Sequence, residues 1–81
     1  MKKEIKEIIT MCKDKKGNFR TIEVLEKKLK KYYTKQIEVL DEAIKATLEH
    51  DTQLTKSEKE ELEQCERLLH KIFIKRLASL L

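Results

Sequence analysis

Four side chains of this sequence could bind a metal ion or form a thiol nucleophile: Cys12, Cys65, His50 and His70. Two ligands on one helix share a face when they are three or four residues apart, and no two of these four have that spacing. A Cys and His nucleophile pair also needs an orienting group and an oxyanion site, and nothing around the single glycine, Gly17, supplies one. We therefore expect no catalytic residue, no metal site and no cofactor, and we do not expect an enzyme.

The cysteines and the first residues indicate the compartment. Cys12 and Cys65 form no C-x-x-C motif and each falls on an apolar helix face, so we interpret both as buried free thiols, although a bridge between them is possible. Charged residues at positions 4, 6 and 7 interrupt the apolar run that an export signal requires. The longest apolar run, residues 72–74, is far shorter than the roughly 20 residues of a membrane span. We expect a cytoplasmic protein.

The elements that carry these side chains are predicted to be helices. The 81 residues contain no proline and one glycine, and apolar side chains recur at steps of three and four. The pattern predicts one all-α domain, residues 1–81, with helices over about 3–12, 19–50 and 55–80. Gly17, expected at positive φ, and the polar residues 50–54 separate them. Thr55-Lys56-Ser57-Glu58 has the pattern of a capping box at the start of the last helix.

Two long apolar stripes predict that the second and third helices pack as an antiparallel hairpin, because a connection of about five residues joins antiparallel neighbours. The stripe of the second helix is Ile22, Leu25, Leu29, Tyr33, Ile37, Leu40, Ile44 and Leu48. The stripe of the third helix is Leu62, Cys65, Leu69, Phe73, Leu77 and Leu80. The short first helix makes a three-helix arrangement, and so small a core leaves room for oligomerisation.

The last helix carries more apolar residues than one stripe uses. Those beside or away from the stripe are Leu68, Ile72, Ile74, Ala78 and Leu81. Either the first helix covers them through its isoleucines at 5, 8 and 9, or they bind a partner protein or a second copy. We take these five as the candidate partner-binding residues, with Ile74, Ala78 and Leu81 as the stripe that faces the partner.

Charge is segregated along the chain. Residues 1–35 carry a net charge of +7, and residues 36–81 carry −3. In an antiparallel hairpin, basic residues from both arms lie level at the open end and form a candidate basic patch of Lys27, Lys28, Lys31, Lys35, Lys71, Lys75 and Arg76. Such a patch keeps a small domain soluble or binds an acidic partner, whereas nucleic acid is disfavoured because acids are interleaved through the chain.

Two helical segments carry a resemblance to a known family. Thr21-Ile22-x-x-Leu25-Glu26-x-x-Leu29 opens the hairpin, and Glu66-Arg67-Leu68-Leu69-His70-Lys71-Ile72-Phe73 lies on its second arm. Over residues 21–76 the chain resembles the small co-chaperones of bacterial type III secretion, of the YscE and SsaE type. That resemblance implies a helical hairpin that pairs with a helical-repeat chaperone in the cytoplasm and keeps the needle subunit soluble. A second likeness, to the helical domain of GINS replication-complex subunits, rests on a basic residue within an apolar run, as at Arg76.

These patterns together predict a non-enzymatic adaptor or co-chaperone whose last helix packs against another protein chain, either a heteromeric chaperone or a second copy. The alternative is a nucleic-acid-associated or replication-complex scaffold subunit that uses the basic end.

Overall fold

The chain forms a bundle of four α-helices in a computed structural model that describes residues 2–80. The helices are α1 (Lys3–Cys12), α2 (Ile22–Lys28), α3 (Thr34–His50) and α4 (Lys56–Leu80). This confirms the all-α class and the helical hairpin, now between α3 and α4. None of the helices between residues 2 and 80 is both long enough and apolar enough to cross a membrane.

A tight loop follows α1 and returns the chain toward α2. Lys13 and Phe19 form an antiparallel bridge across it. The carboxylate of Asp14 accepts hydrogen bonds from the backbone N–H groups of residues 16 and 18 and so holds the loop closed. Gly17 has the expected positive φ, at 87°, but it lies at the tip of this loop and not at the end of α1. Thr21 then caps α2, its hydroxyl accepting from the N–H of Val24 at 3.3 Å.

The helix predicted over residues 19–50 is broken into α2 and α3, and this part of the prediction is wrong. Leu29 ends α2, and Tyr33 adopts an extended conformation before α3 begins. Tyr32, Tyr33 and Thr34 are three successive residues of modest helix propensity, so the break costs little locally. Gln36 stabilises it by accepting a hydrogen bond from the backbone N–H of Tyr33 at 2.7 Å. Tyr33, predicted on the apolar stripe, is consequently 79% exposed.

The capping box predicted before α4 is confirmed. The hydroxyl of Thr55 accepts from the N–H of Glu58 at 3.1 Å, and the Glu58 carboxylate accepts from the N–H of Thr55 at 3.0 Å. Each side chain thus accepts from a backbone N–H group that the start of a helix would otherwise leave unpaired. The cap fixes where the second arm of the hairpin begins.

The core lies where α1, α3 and α4 meet, with α2 closing one side. Its buried side chains include half of each predicted stripe and the apolar face of α1: Ile5, Ile8, Ile9, Cys12, Leu25, Leu29, Ile37, Ile44, Leu62, Cys65, Leu68, Leu69 and Ile72. Leu77 and Leu80, predicted on the inner stripe of the last helix, are exposed instead. The last fully buried side chain of α4 is Ile72, Phe73 packs against the core beside it, and the helix continues for about two further turns.

Candidate functional site

The five predicted partner-binding residues divide into two groups. Leu68 and Ile72 are buried in the core, so placing them on the partner surface was wrong. They belong to the same core cluster as the isoleucines of α1, which packs against α4. Ile74 and Ala78 are exposed. Leu81 lies outside the described residues.

The exposed apolar side chains that follow Ile72 form a surface on the last two turns of α4. We call it the C-terminal apolar surface, and it consists of Ile74, Leu77, Ala78 and Leu80. Ile74 is 48% exposed and Leu80 is 73% exposed. Because steps of three and four residues return to one side of a helix, Ile74, Leu77 and Ala78 lie side by side, and Leu80 follows Leu77. A helix of 25 residues is about 37 Å long, close to the 39 Å length of the whole molecule, so α4 spans it from end to end.

Arg76, predicted in the basic patch, is an internal anchor. Its guanidinium donates one hydrogen bond to the carbonyl of Leu29, at 2.6 Å, and another to the carbonyl of Tyr32. These carbonyls follow the end of α2, and that of Leu29 also accepts from the backbone N–H of Tyr32 at 2.9 Å. The planar fork of arginine reaches both at once, whereas the single ammonium of a lysine is a point donor. Arg76 therefore joins α4 to the segment between α2 and α3.

Two other members of the basic patch also have local partners. The ammonium of Lys75 lies 2.9 Å from the carboxylate of Glu26, and that of Lys35 lies 2.7 Å from Glu38. The hydrogen bond from Lys35 to Glu38 raises the pKa of this lysine. The remaining four, which are exposed, are Lys27, Lys28, Lys31 and Lys71. An open groove at this end is lined by acids as well as bases: Glu23, Glu26, Lys27, Lys30, Lys75, Arg76 and Ser79.

A polar cluster lies between α3 and α4. Asp41 of α3 is only 3% exposed. Its carboxylate lies 3.4 Å from the ammonium of Lys45 and 3.6 Å from Nδ1 of His70. Glu66 completes the cluster, and burial followed by the proximity of Asp41 raises the pKa of its carboxyl. The apolar spacing did not indicate that Asp41 would be buried.

The two cysteines are buried free thiols on facing helices. A hydrogen bond to Cys12, together with burial, raises the pKa of the Cys65 thiol. The same hydrogen bond, with help from the charge of Arg20, lowers the pKa of Cys12. With both side chains fully inside the core, the pair packs as small hydrophobic residues, as the sequence indicated.

The sequence contained a signal for the polar cluster. Glu66 and His70 are four residues apart, and in the predicted hairpin the middle of α3 lies opposite the middle of α4, which brings Asp41 to the same level. The exposed part of α4 could not be located in the same way, because its extent depends on where α1 packs.

Comparison of the chain with protein-family models, curated proteins and solved structures finds no match. The argument for function therefore depends on the chain's own residues.

Proposed function

We propose that this chain is a non-enzymatic protein-binding adaptor or co-chaperone, and that the C-terminal apolar surface of α4 is its binding surface. The observation that carries the proposal is the change in burial along one helix. Up to Ile72, α4 buries its apolar residues in the core, and beyond it Ile74, Leu77 and Leu80 are exposed next to one another.

The exposure of this surface differs from that of isolated apolar residues on soluble proteins. Single exposed apolar residues are ordinary on soluble proteins, and Val39 of α3 is an example at 53% exposure. Contiguous apolar side chains at helical spacing are typical of association sites. Full burial of an aliphatic side chain of this size contributes about 1.5 to 3 kcal/mol, and burying the still-exposed part of these three contributes about half of that each, before the cost of association. The surface can therefore contribute to a larger interface but does not supply all of its binding energy.

The charges around the surface indicate the chemistry of the partner. Lys71 lies on α4 about one turn before the C-terminal apolar surface, and Lys75 lies between Ile74 and Leu77. A fitting partner presents an apolar groove or helix face with an acidic rim, since complementary charge directs approach and orientation. The resemblance to type III secretion co-chaperones suggests a helical-repeat chaperone as this partner, in a complex that keeps a secreted subunit soluble in the cytoplasm.

The proposal is tested by comparing two variants that place the same charge on different faces. Ile74→Asp adds a carboxylate within the C-terminal apolar surface, and Val39→Asp adds one at a similarly exposed apolar residue of α3. The tagged full chain and both variants are purified from the native host, and the chains that co-elute are identified by mass spectrometry. We expect one stoichiometric partner that is retained by Val39→Asp and reduced at least about tenfold by Ile74→Asp, because a desolvated charge opposes apolar packing.

Two results would contradict the proposal. One is a partner that binds Ile74→Asp as well as the original chain while circular dichroism shows that the variant is folded. The other is a monomer by light scattering that co-elutes with no stoichiometric protein. If the chain forms a homodimer that only Ile74→Asp disrupts, the C-terminal apolar surface is still the binding surface, but its partner is a second copy of this chain.

The alternative is a nucleic-acid-associated scaffold subunit that uses the basic end. The four exposed lysines of the basic patch favour it. The local bonds of Lys35, Lys75 and Arg76 count against it, because a cation already bound to a carboxylate or carbonyl is less available to phosphate. Glu23 and Glu26 in the same groove would also repel a phosphate backbone.

A further inference from the structure

Three potential metal ligands meet between α3 and α4, about midway along the hairpin. They are a carboxylate of Asp41 from α3, and a carboxylate of Glu66 and an imidazole nitrogen of His70 from α4. One ligand atom of each lies within 4.8 Å of the other two. Glu66 and His70 share a face of α4 because they are four residues apart, and Asp41 approaches from the opposite helix.

The carboxylates of this cluster have fewer hydrogen-bond donors than their burial requires. Oδ1 of Asp41 and Oε2 of Glu66 are fully buried and have no hydrogen-bond partner. Asp41 as a whole is 3% exposed, so bulk solvent does not reach its carboxylate. The one ammonium close by, that of Lys45, contacts the other oxygen of Asp41 and is itself half-exposed. Buried carboxylate oxygens without a donor are costly, and either a proton shared by Asp41 and Glu66 or a bound cation offsets this cost.

We propose that Asp41, Glu66 and His70 form a three-ligand site for a divalent transition-metal ion of the Zn²⁺ class. Zn²⁺ binds carboxylate oxygen and imidazole nitrogen at about 2.0 to 2.2 Å, and three protein ligands with one water are a common zinc arrangement. Mg²⁺ and Ca²⁺ prefer oxygen ligands alone, so the imidazole selects against them.

The observed geometry requires only a small closure. Ligand atoms around a tetrahedral Zn²⁺ ion are about 3.3 Å apart, given the bond lengths above. Nδ1 of His70 already lies 3.6 Å from Oδ2 of Asp41. Rotation of the two side chains of α4, of which His70 is half-exposed, brings the third ligand within range. Lys45 can move outward into solvent, because its ammonium end is on the surface.

A metal at this position would connect the two arms of the hairpin. It would bind the folded chain and not the unfolded one, and so would stabilise the fold in proportion to its concentration. His70 lies one turn before Ile74 on α4, so the two sites are neighbours. Their tests remain distinguishable because metal binding is measured on the isolated chain, without a partner protein.

The test is titration of the full, chelator-treated chain with ZnCl₂, followed by calorimetry and thermal unfolding, with MgCl₂ as the comparison metal. We expect one Zn²⁺ per chain, a rise in the unfolding temperature with Zn²⁺, and little change with Mg²⁺. His70→Ala should weaken Zn²⁺ binding at least about tenfold, and Glu66→Gln should do the same. His50→Ala is the matched control, because His50 is exposed near the end of α3, outside the cluster, and we expect it to bind Zn²⁺ as the original chain does.

Spectroscopy with Co²⁺ separates this site from the only thiols of the chain, Cys12 and Cys65. We expect a spectrum of nitrogen and oxygen ligation with no thiolate charge-transfer band. The proposal is overturned if Zn²⁺ fails to bind, if binding survives both His70→Ala and Glu66→Gln, if His50→Ala abolishes it, or if the thiolate band appears. The two cluster variants remove different ligands. The test therefore remains valid if one of the two variants fails to fold.

Discussion

At the scale of single residues, Arg76 shows how one side chain can define a boundary between helices. It was grouped with the basic patch because its charge and position resemble those of its lysine neighbours. Its two hydrogen bonds go instead to backbone carbonyls that lie 44 and 47 residues earlier in the chain. Hydrogen bonds from a charged donor are stronger than neutral ones, and this donor satisfies two acceptors at the end of α2.

Replacing Arg76 should therefore destabilise the fold more than replacing an exposed lysine on the same helix. We expect Arg76→Ala to lower the free energy of unfolding by about 1 to 2 kcal/mol, since two part-buried carbonyls lose a charged donor and only that of Leu29 keeps a backbone donor, the N–H of Tyr32. Arg76→Lys should recover part of this loss, and Lys71→Ala should change it by less than about 0.5 kcal/mol. Urea unfolding of the three variants measures these differences. Equal effects of Arg76→Ala and Lys71→Ala would show that the anchor contributes nothing.

At the scale of elements, the start of α4 is fixed by a local interaction and the end of α2 is fixed by a distant one. Thr55 and Glu58 bond to each other across one turn, so neither needs the rest of the molecule to be in place. The break between α2 and α3 contains neither glycine nor proline, and its carbonyls are satisfied by Arg76 from the far end of the chain. Sequence patterns therefore identified the first boundary and not the second.

The cap of α4 makes a testable contribution to stability. We expect Thr55→Ala to lower the free energy of unfolding by about 1 kcal/mol, because the N–H of Glu58 loses its acceptor. Ser57→Ala is the matched control, since this exposed residue follows the cap and takes no part in the two bonds. Chemical unfolding measures both variants, and a loss in Ser57→Ala as large as that in Thr55→Ala would contradict the role of the cap.

The same cap gives the protein a defined response to acid. Hydrogen bonds from the backbone N–H and the side chain of Thr55 lower the pKa of Glu58 below its ordinary value of about 4.3. A carboxyl whose pKa is lower in the folded state contributes stability above its unfolded pKa and loses it as the pH falls through its folded pKa. We expect the stability difference between the original chain and Glu58→Gln to be present at pH 6 and to shrink as the pH falls below the unfolded pKa of about 4.3. A difference that is constant between pH 6 and pH 3 would contradict this assignment.

At the scale of the whole molecule, charge and apolar surface coincide at one end. The exposed lysines of α2 and of the last turns of α4 lie near the C-terminal apolar surface, while acids dominate residues 38–66. Both proposed classes of partner would thus approach the same end of the molecule, one through apolar contact and the other through phosphate. Salt separates them, because screening weakens phosphate contacts and leaves apolar packing largely unchanged.

We expect the affinity of the protein complex to change less than about threefold between 50 and 200 mM salt. If the four exposed lysines each contacted a phosphate, affinity would fall by roughly a hundredfold over the same range. Fluorescence anisotropy with the identified partner, and with a duplex oligonucleotide as the comparison ligand, measures both. Tight and steeply salt-dependent binding of the oligonucleotide, together with salt-sensitive binding of the protein partner, would favour the nucleic-acid alternative.

The sequence by itself determined the features that depend on residues within a few positions of one another. The absence of proline, the lone Gly17 and the three- and four-residue apolar spacing determined the helical class. The motif at Thr55 determined where α4 starts. Helix propensity, capping and amphipathic spacing all act over one or two turns, so the order of residues is sufficient to predict them.

Only the tertiary structure decided which apolar residues stay exposed and which polar residues become buried. Leu68 and Ile72 entered the core once α1 packed on α4, and Asp41 became buried when the two arms of the hairpin met. Tyr33 left the stripe because Arg76 anchors a break that no local pattern requires. In each case the deciding contact comes from a segment more than twenty residues away, and burial depends on the sum of such contacts and not on the neighbouring sequence.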